Sequence, residues 1–92
     1  MADLTPEQES IRGGQARELL EHPLMREFLG HVRATLERER ARASIRDTDY
    51  HTRLVIWEQV ANSFENAMRQ TIQTGELARL QLQKSRVPIF RR

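Results

Sequence analysis

Apolar side chains recur at steps of four and three residues between positions 50 and 72. This spacing places them along one stripe of an α-helix, because 3.6 residues complete a helical turn. The stripe consists of Tyr50, Leu54, Trp57, Ala61, Phe64, Met68 and Ile72. The segment Asp47–Asp49 offers capping oxygens before the stripe, and Gly75 follows it. We therefore predict a helix that begins near position 49 and ends near Thr74.

A second apolar face predicts the helix that pairs with the first. This face follows Pro23, which suits the first position of a helix, and a turn is expected at residues 44–49. It consists of Leu24, Met25, Phe28, Leu29, Val32 and Leu36. Two helices of about 20 residues joined by a short turn form a helical hairpin. The predicted fold is all-α, an antiparallel helical hairpin with a short N-terminal helix and an extended C-terminal tail.

Both ends of the chain are predicted to lie outside the hairpin. Thr5 and Gln8 have capping-box spacing at the start of a helix, and two adjacent glycines at positions 13 and 14 are expected to break that helix, since they cost about 2 kcal/mol of helix propensity. Beyond Gly75 we expect at most a short third helix, and Pro88 favours an extended tail. The predicted division is a leader helix at 1–13, a hairpin domain at 14–82 and a basic, apolar tail at 83–92.

Size and composition favour association. The 92 residues are 38% hydrophobic and only 5% aromatic, and they include no cysteine for a disulfide. Ile56 and Val60 widen the stripe beyond what one facing helix covers. Two interpretations of the stripe stay open: it is core against Phe28, Val32 and Leu36, or it is an interface with another chain. The predicted interface residues are Tyr50, Leu54, Ile56, Trp57, Val60, Phe64 and Met68, together with Val87, Ile89 and Phe90 of the tail.

Positive charge is concentrated in residues 38–46 and 77–92, although the net charge is only +2. Of the 15 basic residues only Lys84 is a lysine, and arginine pairs in a bidentate manner with carboxylate or phosphate. The arginines are interpreted either as a solvated face that pairs with neighbouring acids or as a phosphate-binding surface. The candidate nucleic-acid contacts are Arg38, Arg42, Arg46, Arg91 and Arg92.

The candidate catalytic chemistry is sparse. His22, His31 and His51 have no short metal-ligand spacing, and Gly13-Gly14 lacks the strand and the Lys-Ser/Thr of a phosphate-binding loop. We predict no catalytic or metal site, no cofactor, no small-molecule substrate and no enzyme activity. No apolar run approaches the ~20 residues needed to span a bilayer, so no membrane association is predicted either.

Three segments carry a resemblance to a known group of proteins: Gly14–Leu24, Leu54–Trp57 and Thr74–Ala78. Together they resemble small proteins of tailed bacteriophages and prophages whose genes lie among head and packaging genes. The resemblance covers about residues 14–80 and implies a non-enzymatic structural or morphogenesis protein. Such a protein would self-associate and dock at the head or at the portal and head–tail junction.

The resemblance also implies a setting and partners. The protein would be found in the host cytoplasm during assembly and in the virion. Its partners would be further copies of itself and other virion proteins, namely portal or capsid proteins. The alternative, based on the arginines, is a nucleic-acid-binding accessory factor for DNA packaging or regulation.

Overall fold

Three α-helices account for most of the described chain. The computed structural model describes residues 3–85. Helix α1 spans Pro6–Glu21, α2 spans Pro23–Arg42 and α3 spans Thr48–Ser85. No strand occurs within residues 3–85, and the predicted all-α class is confirmed.

Contacts divide the chain into two compact units. The hairpin unit is Leu20–Ala67, and the terminal unit consists of the described residues of Met1–Leu19 and Met68–Arg92. Helix α3 contributes to both units. The division predicted from the sequence does not coincide with these units, because the predicted hairpin domain extends across residues of both.

In the hairpin unit, α2 and the first part of α3 run antiparallel, as predicted. Arg33 contacts Glu65 at 2.6 Å, and Arg40 contacts Glu58, so the residue number falls along α3 as it rises along α2. The core between them is small. In this unit Leu54 is the one large apolar side chain that is buried, with 5% of its surface exposed.

The helix starts follow the capping chemistry that the sequence indicates. The Thr5 hydroxyl accepts a hydrogen bond from the Gln8 backbone N–H at 3.2 Å, and the Gln8 side chain accepts one from the Thr5 N–H at 2.9 Å. At the start of α3, an Asp47 carboxylate oxygen accepts a bond from the Tyr50 N–H at 3.1 Å. Each of these bonds satisfies an N–H that has no partner within its helix, and they fix where α1 and α3 begin.

The break between α1 and α2 also lies where the sequence predicts it. His22 has an extended backbone before Pro23, and its Nδ1 accepts a hydrogen bond from the Leu24 N–H at 3.1 Å. Proline disfavours helical geometry in the residue before it, and it suits the first position of the next helix. The dipeptide therefore ends one helix and starts another.

The two predictions made from glycine are wrong. Helix α1 runs through Gly13-Gly14 without a break, and α3 continues through Gly75 to Ser85 instead of ending before it. Gly13 and Gly75 are buried against each other in the terminal unit. A Cβ added at Gly13 would lie 2.7 Å from the Gly75 Cα, which is closer than atoms can pack. These glycines let two helix backbones touch, and this contact outweighs their low helix propensity.

The continuation of α3 also replaces the predicted short third helix. Gln83, Lys84 and Ser85, predicted as the start of the extended tail, are the last residues of α3. The remaining tail residues of the prediction lie outside the described residues, including Val87, Ile89, Phe90, Arg91 and Arg92.

Candidate association surface

The apolar stripe of α3 divides into a buried half and an exposed half. Leu54 and Ala61 are buried, and Tyr50 and Met68 are half-buried. Trp57, by contrast, is 61% exposed, and Phe64, Ile56 and Val60 are also exposed. The core interpretation is therefore wrong for Trp57 and Phe64 within a single chain.

Ion pairs between α2 and α3 lie on one edge of the hairpin. Glu65 and Glu58 of α3 contact Arg33 and Arg40 of α2, and Arg33 also donates a hydrogen bond to the Asn62 side chain at 3.0 Å. We call these residues the ion-paired edge. One step along a helix turns the side chain by about 100°. Because Trp57 precedes Glu58 and Phe64 precedes Glu65, both aromatic rings lie toward the opposite edge.

Helix α2 adds to the same exposed surface. Leu24, Phe28 and Val32 are exposed, and Val32 directly precedes Arg33, so it too lies away from the ion-paired edge. Phe28 and Leu24 follow at successive steps of four residues, which keeps them on that side of α2. We define the apolar face by its seven exposed side chains: Leu24, Phe28, Val32, Ile56, Trp57, Val60 and Phe64.

The α2 residues of the apolar face were not among the predicted interface residues. One of the two interpretations of the stripe placed Phe28 and Val32 in a core that covers Trp57. They instead extend the surface that the stripe exposes. The sequence contains a signal for the exposure of Val32. Val32 directly precedes Arg33, just as Trp57 precedes Glu58. If the charged residues pair between the helices, the apolar residues before them are turned away from that edge.

The apolar face carries no charged side chain. Between Leu54 and Met68 the only charged residues are Glu58 and Glu65, and both contact arginines on the ion-paired edge. The Glu58 carboxylate raises the pKa of Arg40, first by accepting its hydrogen bond and then through its charge. Charge in this part of α3 is thus paired within the chain.

A hydrogen bond joins α2 to α3 near the connecting turn. The Tyr50 hydroxyl donates to the Glu39 carboxylate, and this bond is the main reason that the pKa of Tyr50 is raised. Arg42 also donates to Glu39, at 3.3 Å. A depression of about 320 Å³ lies here, lined by Glu39, Arg42, Ala43, Asp47 and Tyr50.

The candidate nucleic-acid contacts do not act as one set. Arg42 contacts Glu39, and Arg38 donates to the Thr35 hydroxyl at 3.3 Å. Arg46 is exposed in the turn between α2 and α3. Of these candidates, Arg42 has an acidic partner, as the interpretation of a solvated face expects, whereas the partner of Arg38 is a hydroxyl.

The terminal unit has its own charged cluster. Glu76 accepts hydrogen bonds from Arg17 and Arg79, each at 2.8 Å. Arg79 is the larger cause of the lowered pKa of Glu76. The Arg17 contact joins α1 to α3 beside the Gly13–Gly75 crossing.

Residues 3–85 include neither a helix that could cross a membrane nor a cluster of metal ligands. None of the three helices is both long enough and apolar enough to cross a membrane. No three histidine, aspartate or glutamate side chains in this part of the chain come together in a way that could hold a metal ion. Comparison of the chain with protein families, curated proteins and solved structures finds no match.

Proposed function

We propose that this chain is a non-enzymatic structural or morphogenesis protein of a tailed bacteriophage. It associates with further copies of itself and docks onto virion proteins, at the head or at the portal and head–tail junction. The apolar face is the surface through which it associates. The phage setting is supported by the resemblance of Gly14–Leu24, Leu54–Trp57 and Thr74–Ala78 to small phage proteins.

The observation that carries this proposal is the exposure of three aromatic side chains within one apolar face, whose area is at the upper end of what an ordinary monomer exposes. Its three aromatic and four aliphatic side chains are each about half exposed. Since a large aromatic side chain has about 150–250 Å² of surface, the face presents roughly 600 Å² of apolar area. The largest apolar patch of an ordinary monomer is about 300–600 Å², and a standard interface buries about 800 Å² on each partner.

The small core of the hairpin unit supports the same proposal. Large aromatic side chains supply most of the burial energy in small proteins, yet Trp57, Phe28 and Phe64 are exposed here. Covering them in an assembly would add the burial that the single chain lacks. The nucleic-acid alternative has less support, because Arg42, one of its candidate contacts, pairs with the Glu39 carboxylate of the chain itself.

Two matched substitutions on α3 test this function. Trp57→Asp places a negative charge within the apolar face, whereas Gln59→Asp places the same charge at an exposed position about 100° around the helix from Val60. Each variant is co-expressed with the portal and major capsid proteins of the same phage or prophage. Incorporation into purified particles is measured by mass spectrometry, and circular dichroism checks that both variants are helical.

We expect the wild-type chain and the Gln59→Asp variant to copurify with portal or capsid protein. The Trp57→Asp variant should be absent from the purified particles. The reason is that a carboxylate in a closed apolar interface loses its hydration without gaining a partner. Equal incorporation of the two variants, or no association of the wild-type chain with either protein, would contradict the proposal.

A further inference from the structure

We infer that the apolar face closes against a second copy of this chain, with the two α3 helices antiparallel and Val60 at the two-fold axis. This inference rests on the self-association part of the proposed function. The inference adds the identity of the molecule that covers the apolar face and the register in which the two helices pair. The argument uses the charge, the side-chain sizes and the exposure of residues in the hairpin unit.

The low charge on the exposed side of α3 favours an occupant whose own surface is apolar. The two carboxylates between Leu54 and Met68 contact Arg33 and Arg40 on the opposite edge. On this side of α3 the charged side chain is Arg53, four residues before Trp57, so a partner recognised by several charges would find little to pair with. In a second copy packed antiparallel about Val60, Arg53 lies opposite Ala67, so the pair brings no like-charge repulsion.

The order of side-chain sizes along α3 selects the direction of packing. In an antiparallel pair centred on Val60, Phe64 lies opposite Ile56 of the other copy, and Trp57 lies opposite Ser63. The large indole thus meets a small side chain, which allows the two surfaces to interdigitate at native density. A parallel pair would instead set Trp57 against Trp57 and Phe64 against Phe64. Antiparallel packing is also favoured by the opposed helix dipoles.

The exposure of the same residues agrees with this seam. Ile56, Trp57, Val60 and Phe64 are all exposed in the single chain. Ile56, Val60 and Phe64 follow one another at steps of four residues, and Trp57 lies three residues before Val60. Such spacing gives the narrow apolar seam of paired helices. Phe28 and Val32 of α2 lie on the same side of the hairpin and widen the contact.

Single-cysteine variants test the register, because the natural chain has no cysteine. In Val60→Cys the two thiols of a pair meet at the axis, within the Cβ–Cβ range of about 3.5–4.5 Å that a disulfide requires. Gln59→Cys is the matched control, since it is exposed and adjacent but turned about 100° away. Disulfide formation under a mild oxidant is followed for both full-length variants on non-reducing gels, and sedimentation gives the mass of the wild-type chain.

We expect Val60→Cys to form a covalent dimer at least roughly tenfold faster than Gln59→Cys, because association raises the effective thiol concentration only at the seam. Equal rates, or a faster rate for Gln59→Cys, would overturn the inference. A monomeric wild-type chain at all concentrations would overturn it as well. In that case, loss of the Trp57→Asp variant from particles would still support docking, so failure of the inference is distinguishable from failure of the proposed function.

Discussion

Tyr50 is the only tyrosine in the chain, and its hydroxyl hydrogen bonds to Glu39. The carboxylate stabilises the protonated phenol by accepting a hydrogen bond from its hydroxyl, and its negative charge opposes formation of the phenolate. Both effects, with the partial loss of hydration, raise the pKa of Tyr50 above its ordinary value of 10.0. Because the folded chain has the higher pKa, this contact stabilises the fold below about pH 10 and is lost as the pH rises through the folded pKa.

The ultraviolet absorbance of the phenolate measures this pKa without interference from other tyrosines. We expect the Tyr50 titration to have its midpoint above 10.0 in the native chain. Glu39→Ala should move the midpoint down toward the ordinary value, because it removes the bond and the charge together. Glu37→Ala, two residues away on α2, is the control and should leave the midpoint in place. A native midpoint at or below the ordinary value would show that the Glu39 contact does not form.

Trp57 shows how far single residues could be predicted. The spacing of apolar residues predicts that Trp57 lies on the helical stripe and makes it a candidate interface residue. The spacing does not predict that Trp57 is exposed, because it cannot tell which edge of the stripe faces the neighbouring helix. In the structure, the edge that carries Glu65 and Glu58 lies against Arg33 and Arg40 of α2, and Trp57 lies on the other edge.

At the scale of helices, the starts were predictable and the role of the glycines was not. Thr5, His22 and Asp47 act on backbone groups two or three residues away, so their signals are local. Gly13 and Gly75 act on each other from opposite ends of the chain. A helix end and a close helix crossing both favour glycine, and only the tertiary contact distinguishes the two.

The crossing predicts opposite effects for two neighbouring glycines of α1. A Cβ at Gly13 meets the backbone of α3, whereas a Cβ at Gly14 has no heavy atom within 4 Å. Gly13→Ala should therefore lower the free energy of unfolding by about 1–3 kcal/mol, the usual cost of overpacking. Gly14→Ala should raise it by up to about 1 kcal/mol through helix propensity.

Chemical denaturation followed by circular dichroism measures both changes in the free energy of unfolding. Both substitutions have the same effect on the intrinsic helix propensity of α1, so the difference between them isolates the contact with Gly75. If both variants gained stability by similar amounts, the two backbones would not touch at this point.

At the scale of the whole molecule, apolar burial is sparse. Among residues 3–85, the buried apolar side chains are Leu54, Ala61 and Ala78, and two of these are alanines. The all-α class and the hairpin could be predicted because they depend on periodicity and on one turn. The extent of apolar burial could not be predicted from the sequence, because it depends on which faces of each helix pack against another helix. The stability of such a chain is expected to rise with its own concentration if copies cover the apolar face.

The most direct test of the apolar face is the accessibility of Trp57, the only tryptophan, as the chain associates. Acrylamide quenching of its fluorescence is measured over a concentration series alongside the mass from sedimentation. We predict that the mass rises above that of one chain and that quenching falls in parallel, because association covers the indole. A mass that stays at one chain, or one that rises while Trp57 remains fully quenchable, would contradict the account.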